Sequence, residues 1–247
     1  MPDSLLITRC LNDLFAGPLV ALMAAVGLHP THPDAPIDNT FALELLVAGV
    51  MLAFFVLVRL TLSVEKPNPA QQIAEMIHEF TGGQAEQIIG HGYERFQAFV
   101  TVILLFILLN NMIGLLAGFP GIETPTSLPA VPLGIAVLTF IYYNFHGVRV
   151  HGPLGYLKQF AGPIWWMSPL LFPVEIVSHL ARMMSLTIRL YANMLASDLL
   201  TLICFSMMPA IAPAAFLAMH ALVAAIQAYV FMMLAMIYLG MAVSHEH

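Results

Sequence analysis

Charge is the scarcest thing in this sequence. Of 247 residues only 9% are Asp, Glu, Lys or Arg, against about 25% in an ordinary soluble domain. Eight Lys plus Arg cannot assemble a basic surface, which excludes a nucleic-acid binder. Cysteine is rarer still. Cys10 and Cys204 lie far apart, with no CxxC or Cys/His pair at zinc spacing, which argues against a disulfide scaffold, a zinc site or iron–sulfur ligation. A phosphate-cradling glycine loop and a catalytic constellation for phosphate chemistry are also missing, so no cofactor and no enzyme activity are expected. What abounds is apolar surface: 60% of residues, with a mean hydropathy of +0.87. That is too much to leave wet, so disorder is excluded. An all-α membrane protein whose solvent is mostly the lipid bilayer remains. The net charge of −6 adds little, because it is spread over short loops rather than gathered in a tail.

The apolar runs set the organisation. Phe41 to Val64 forms the first span, interrupted by Glu44 and Arg59. Phe96 to Leu116 forms the second and is free of charge. Val131 to Tyr143 is the core of a third, beginning near Leu128 and ending at the polar Asn144-Phe145-His146. Two longer runs follow, Pro173 to Met207 and Pro213 to Val243. As helices these would measure roughly 52 and 46 Å at ~1.5 Å per residue. Both overshoot a hydrocarbon layer of about 30 Å, so the expectation is a long, strongly tilted hairpin. Between the first two spans, Ile73, Met76, Ile77 and Phe80 recur at helical spacing opposite Gln72, Glu75 and Glu79. That pattern predicts one interfacial amphipathic helix over Ala70 to Ile89, broken or kinked at Gly82-Gly83, which either docks a partner or simply lies on the surface.

Basic residues set the orientation. Arg59, Lys66 and Arg95 flank the first connection, and Arg149 and Lys158 follow the third span, whereas Ala117 to Ala130 and Met208 to Ala212 carry none. The positive-inside rule then places the N-terminus in the periplasm and the tail Ser244 to His247 in the cytoplasm. Residues 1–39 read as a retained periplasmic segment, since no clearly positive region or A-x-A cleavage site marks them as a signal peptide. Residues 40–247 read as the membrane domain. The lack of an Arg- and Ser-rich transit peptide favours a bacterial inner membrane.

Polarity inside the fourth span is the informative feature. At about 100° per residue, Glu175, Ser178, Arg182, Ser185 and Asn193 all fall within roughly 40° of Arg189, and Ala196 extends the stripe. Asp198 falls on the opposite face. An arginine at mid-bilayer costs about 2.5–3.5 kcal/mol on insertion scales, so it is retained for a reason and usually marks an ion pathway. Arg182 snorkelling near the cytoplasmic end, with Glu175 in the headgroups, is the plainer alternative for those two. On the last helix His220 and Gln227 share a face, and Ala214, Ala218, Ala221, Ala225 and Ala228 predict a packing seam. Folding the hairpin about Ala210 brings Asp198 and His220 to similar depth, within expected hydrogen-bond reach. Such a pair is either a proton relay or a structural clasp. Two half-length polar paths thus approach Arg189 from opposite sides, and neither spans the membrane. A proton passes only if a partner with its own carboxyl group carries it.

SLTIRLYANMLASDLL (Ser185 to Leu200) resembles the signature of subunit a of the rotary F-type ATP synthases. AAIQAYVFMMLAMIYLGMA (Ala224 to Ala242), PVEI at Pro173 to Ile176, PTS at Pro125 to Ser127 and NNMIGLL at Asn110 to Leu116 fit the same family in order. The resemblance implies a stationary, non-catalytic, proton-translocating subunit. Its partners would be a rotating ring of proteolipid hairpins bearing carboxyl groups, the c-ring, and peripheral-stalk b-type subunits. It further implies that Arg189 is the essential arginine, that Asn193, Asp198, His220 and Gln227 belong to the outer half-channel, and that Glu175 and Ser178 belong to the inner one. Tyr191-Ala192 departs from the Phe-Gly that often follows the arginine–leucine pair, and Asp198 stands where Glu or His is common. The Asp198–His220 pair favours protons over sodium.

Two rival classes fare worse. A free-standing secondary transporter would show internal repeats, whereas here three nearly charge-free spans precede two that hold the chemistry. An intramembrane redox or metal protein would need ligand spacing. Of ten histidines only His179 and His220 fall within expected spans, and the methionines are explained as adaptable packing.

Overall fold

The structure is a computed structural model that describes residues 5–25, 36–63, 66–116, 124–161, 168–207 and 211–243. The described chain is all-helical. Its helices are α1 (Leu6–Ala25), α2 (Asn39–Leu60), α3 (Pro69–Ile89), α4 (Glu94–Ile113), α5 (Ala130–Ala161), α6 (Ser168–Met207) and α7 (Ile211–Val243). Two short 3-10 turns, Gly114–Leu116 and Pro125–Ser127, lie between α4 and α5. Five helices are long and apolar enough to cross a membrane: α2, α4, the Ala130–Gly152 part of α5, α6 and α7. Of the expected connections Ala117–Ala130 and Met208–Ala212, residues 117–123 and 208–210 lie outside the described residues, as do the tail 244–247 and the Glu175 side chain.

Four local features differ from the sequence reading, each for a physical reason. The third span continues past Asn144 and His146 to Gly152. Both side chains bond back to their own helix, Asn144 Nδ2 donating to the Phe140 carbonyl at 2.7 Å and His146 Nδ1 to the Tyr142 carbonyl at 3.0 Å. Polar side chains satisfied in this way do not end a helix. The break comes at Gly152, whose φ of 74° is open to glycine, just before a proline. Second, α3 runs unbroken through Gly82-Gly83. Gly82 is buried against Gln97 of α4, which donates to the His78 carbonyl at 2.6 Å. Thr81 and Thr101 hydroxyls meet across the same contact at 2.9 Å. Close approach offsets the helix penalty of glycine, about 1 kcal/mol. The apolar stripe of α3 points outward, with Ile73, Met76 and Phe80 exposed.

Third, the buried seam of α7 is turned away from the expected alanine stripe and keeps Ala228 of it, while the Ala214 side chain lies outside the described residues. Ala218 and Ala225 are exposed, while His220, Ala224, Gln227, Ala228, Phe231, Ala235 and Leu239 are buried. In a lipid solvent His220 and Gln227 must face protein, and they decide the rotation of the helix. Fourth, residues 5–25 form a helix clasped to the start of α2. The Asn12 amide both accepts from Ile37 N–H and donates to the Ile37 carbonyl at 3.0 Å, and Thr8 Oγ donates to Asn39 at 2.8 Å.

The core lies where α4, α6 and α7 meet. Val100, Ile103 and Ile107 pack with Leu186, Leu190 and Met194 and with the α7 seam. With 40 residues in α6 and 33 in α7, the hairpin helices reach roughly 60 and 50 Å. Each is well beyond the hydrocarbon thickness.

Candidate functional site

A buried polar cluster forms where the end of α4, the Pro125–Ser127 turn, α6 and α7 converge. Its centre is His220, fully buried on α7. Asn111 on α4 offers its carbonyl to His220 Nε2 at 3.2 Å. A carbonyl can only accept, so Nε2 carries the hydrogen, and in the neutral ring Nδ1 is the acceptor. The Ser197 hydroxyl of α6 sits 2.7 Å from Nδ1. Asp198 Oδ1 is 3.7 Å from the same nitrogen, an ion-pair distance and longer than the hydrogen bond expected from sequence. Asp198 instead accepts from Thr124 Oγ at 2.8 Å.

The α4 end is tied into the same network. Thr126 Oγ donates to Asn111 Oδ1 at 2.6 Å, and Asn111 Nδ2 reaches the Ala224 carbonyl of α7 at 3.4 Å. Ser127 Oγ holds the Thr124 carbonyl at 2.7 Å. Gly114 closes the cluster. A Cβ there would collide with the Thr124 hydroxyl and the His220 ring, so only glycine lets the three segments approach.

A second contact lies further along the hairpin. Asn193 Nδ2 donates to Gln227 Oε1 at 2.9 Å. Gln227 is buried and Asn193 exposed, so the pair leads from the interior of the bundle to the outer face of α6. One turn before Asn193 on that face is Arg189. Ser185, Arg189, Ala192, Asn193 and Ala196 are all exposed there, among the exposed apolar Ile188 and Met184. No hydrogen bond or ion pair joins Arg189 to another described residue. Asp198 faces the opposite way and is buried.

The remaining expected residues sit nearer the start of α6. Ser178 is half-buried. Arg182 stacks over the Tyr238 ring, its guanidinium carbon 5.5 Å from the centroid, a cation–π contact that gives this charge a partner within the chain. Next to it Tyr143 Oη meets His179 Nδ1 at 2.9 Å. The structure therefore gathers Asp198 and His220 in one cluster and Asn193 with Gln227 in another, and among the described residues it gives Arg189 no hydrogen bond or ion pair. Ser197, Asn111 and Thr126 lie within motifs quoted from the sequence but are not named there as site residues, and Thr124 lies in none of them; all four join the site. Among the described residues no group of three or more His, Cys, Asp or Glu side chains gathers to hold a metal.

A family model described as ATP synthase A chain matches residues 41–240. The chain is 48% identical to ATP synthase subunit a of Koribacter versatilis, with both chains covered in full. It is 42% identical to ATP synthase subunit a of Solibacter usitatus, over 96% of this chain and 99% of that one. It is 35% identical to ATP synthase subunit a of Solidesulfovibrio magneticus, over 85% of this chain and 90% of the other.

Proposed function

The chain belongs to the ATP synthase subunit a family, the non-catalytic membrane channel subunits of that enzyme, and from this premise we propose that it is the stationary charge barrier between two proton half-paths. The observation that carries the proposal is Arg189: a guanidinium in the middle of a long apolar helix, exposed, and unpaired within the described chain. Left to lipid it would cost about 2.5–3.5 kcal/mol. A carboxylate presented by a neighbouring protein removes that cost, and the proteolipid ring supplies one per hairpin. Ala192 and Ala196 beside it are small enough to admit a close approach.

The mechanism follows from electrostatics. A protonated ring carboxyl is neutral and tolerates lipid. As it nears Arg189 the positive charge favours its ionised form, and the proton leaves by the inner path along Ser178 and Glu175. The carboxylate cannot re-enter lipid while charged. It must first take a proton from the outer path, through Asp198 and His220 and then past Gln227 and Asn193. Arg189 separates the two exchanges, so net proton flow requires ring movement. Each charge crossing 100 mV supplies about 2.3 kcal/mol, so several protons are needed per ATP.

In this reading residues 1–39 are a periplasmic segment, residues 40–247 the channel domain, and the hairpin of α6 and α7 lies strongly tilted against the ring in a bacterial inner membrane. The basic loops support that orientation, and the helix lengths support the tilt. Peripheral-stalk b-type subunits are the further partner that membership implies. Cysteine cross-linking tests the facing. With a cysteine placed beside the ring carboxyl, Ala192→Cys is expected to form a disulfide under mild oxidation, whereas Met194→Cys, fully buried, is not. Absence of the Ala192 cross-link in an assembled complex would mean that the Arg189 face meets something other than the ring.

A further inference from the structure

Asp198 and His220 are close enough to attract and too far apart to hydrogen-bond, at 3.7 Å, while Ser197 occupies the Nδ1 position at 2.7 Å. We propose that the Ser197 hydroxyl is a positioning group that holds the His220 ring off Asp198, so that the pair exchanges a proton without locking into an ion pair; this rests on the half-path reading above. A hydroxyl can serve both ring states, donating to the bare Nδ1 of neutral histidine and accepting from Nδ1–H of the cation, and Ser197 is the one placed on Nδ1 among the described residues. The exchange itself balances simply. For the transfer the Ser197 hydroxyl rotates off Nδ1 and the ring closes to hydrogen-bond distance of Asp198. The O–H bond of the Asp198 carboxyl then breaks as an N–H bond forms at His220 Nδ1, Asp198 is left as the carboxylate, and Ser197 keeps its own proton.

Among the described residues the surroundings leave no substitute, and the titratable group among them that faces His220 is Asp198 of α6. Asn111 of α4 offers a carbonyl to Nε2, and on α7 itself Gln227 lies about two turns away and is engaged by Asn193. Thr124, from the segment before α5, is committed to Asp198. Without Ser197, a neutral and fully buried ring has no donor for Nδ1. A charged ring faces the Asp198 carboxylate with no hydroxyl between them in a low-dielectric interior, where attraction is strong. Either state stalls the exchange.

The test is passive proton conduction through membrane vesicles that carry the assembled complex and are then stripped of the catalytic sector. Assembly is checked beforehand by ATP hydrolysis bound to the membrane. Ser197→Ala is expected to lower conduction about tenfold, and Ser197→Thr, which restores a hydroxyl, to recover most of the rate. His220→Gln is the companion variant and is expected to conduct poorly. If His220→Gln conducts poorly while Ser197→Ala conducts like the parent, or if Ser197→Thr is no better than Ser197→Ala, the positioning role is overturned and the outer path stands. If His220→Gln conducts normally, the path through His220 falls and the Ser197 proposal with it.

Discussion

Replacing Arg189 with alanine is expected to reduce ATP-driven acidification of inverted vesicles to background while ATP hydrolysis on the same membranes persists. The size of the effect follows from position. Arg189 is exposed on α6, the described chain provides it with no partner, and its exposed neighbours Ser185, Ala192, Asn193 and Ala196 carry no charge. Alanine there removes the cost of placing a charge against lipid and fills no packed space, so assembly should not suffer. What disappears is the one fixed charge that favours an ionised ring carboxyl. Arg182 cannot stand in, because it lies about two turns away and is held over Tyr238. Normal acidification by Arg189→Ala would show that the charge is structural.

Gly114→Ala is expected to cut passive proton conduction by about two orders of magnitude, the scale on which a 1 Å misplacement of a reacting group acts. The added methyl would collide with the Thr124 hydroxyl and the His220 ring. His220 is fully buried and held from both nitrogens. If the ring retreats, it loses the Asn111 carbonyl or Ser197. If Thr124 moves, Asp198 loses its donor. Gly83→Ala is the control, since nothing lies within 4 Å of the added carbon and alanine is the better helix former. Equal conduction by the two variants would mean that the Gly114 contact does not position the site.

Much of this arrangement can be read along the chain, because it depends on spacing within single helices. The five spans follow from apolar length. The outward stripe through Ser185, Arg189, Asn193 and Ala196, with Asp198 facing away, follows from about 100° per residue. What escapes is whatever depends on which segments meet. Thr124 and Asp198 stand 74 residues apart, and Asn111 and His220 stand 109 apart. No local pattern marks a serine at 197 as the histidine's partner when an aspartate follows it. The alanine seam fails because periodicity treats every small face as equal, whereas two buried polar groups decide which face turns inward. The same holds at Asn144 and His146, where polarity reads as a helix end but the side chains return to their own backbone.

The separation of the two half-paths by one charge is tested most directly by proton leak with the rotor held still. Inverted vesicles bearing the whole complex, with the catalytic sector inhibited, are given a potassium diffusion potential and their proton uptake is followed. The parent complex should be tight, because neither path crosses the membrane and the ring cannot turn. Arg189→Ala should leak, since a ring carboxyl could then exchange with both paths from one position. A variant complex as tight as the parent, and still able to pump when the inhibitor is withdrawn, would contradict the assignment of Arg189 as the barrier.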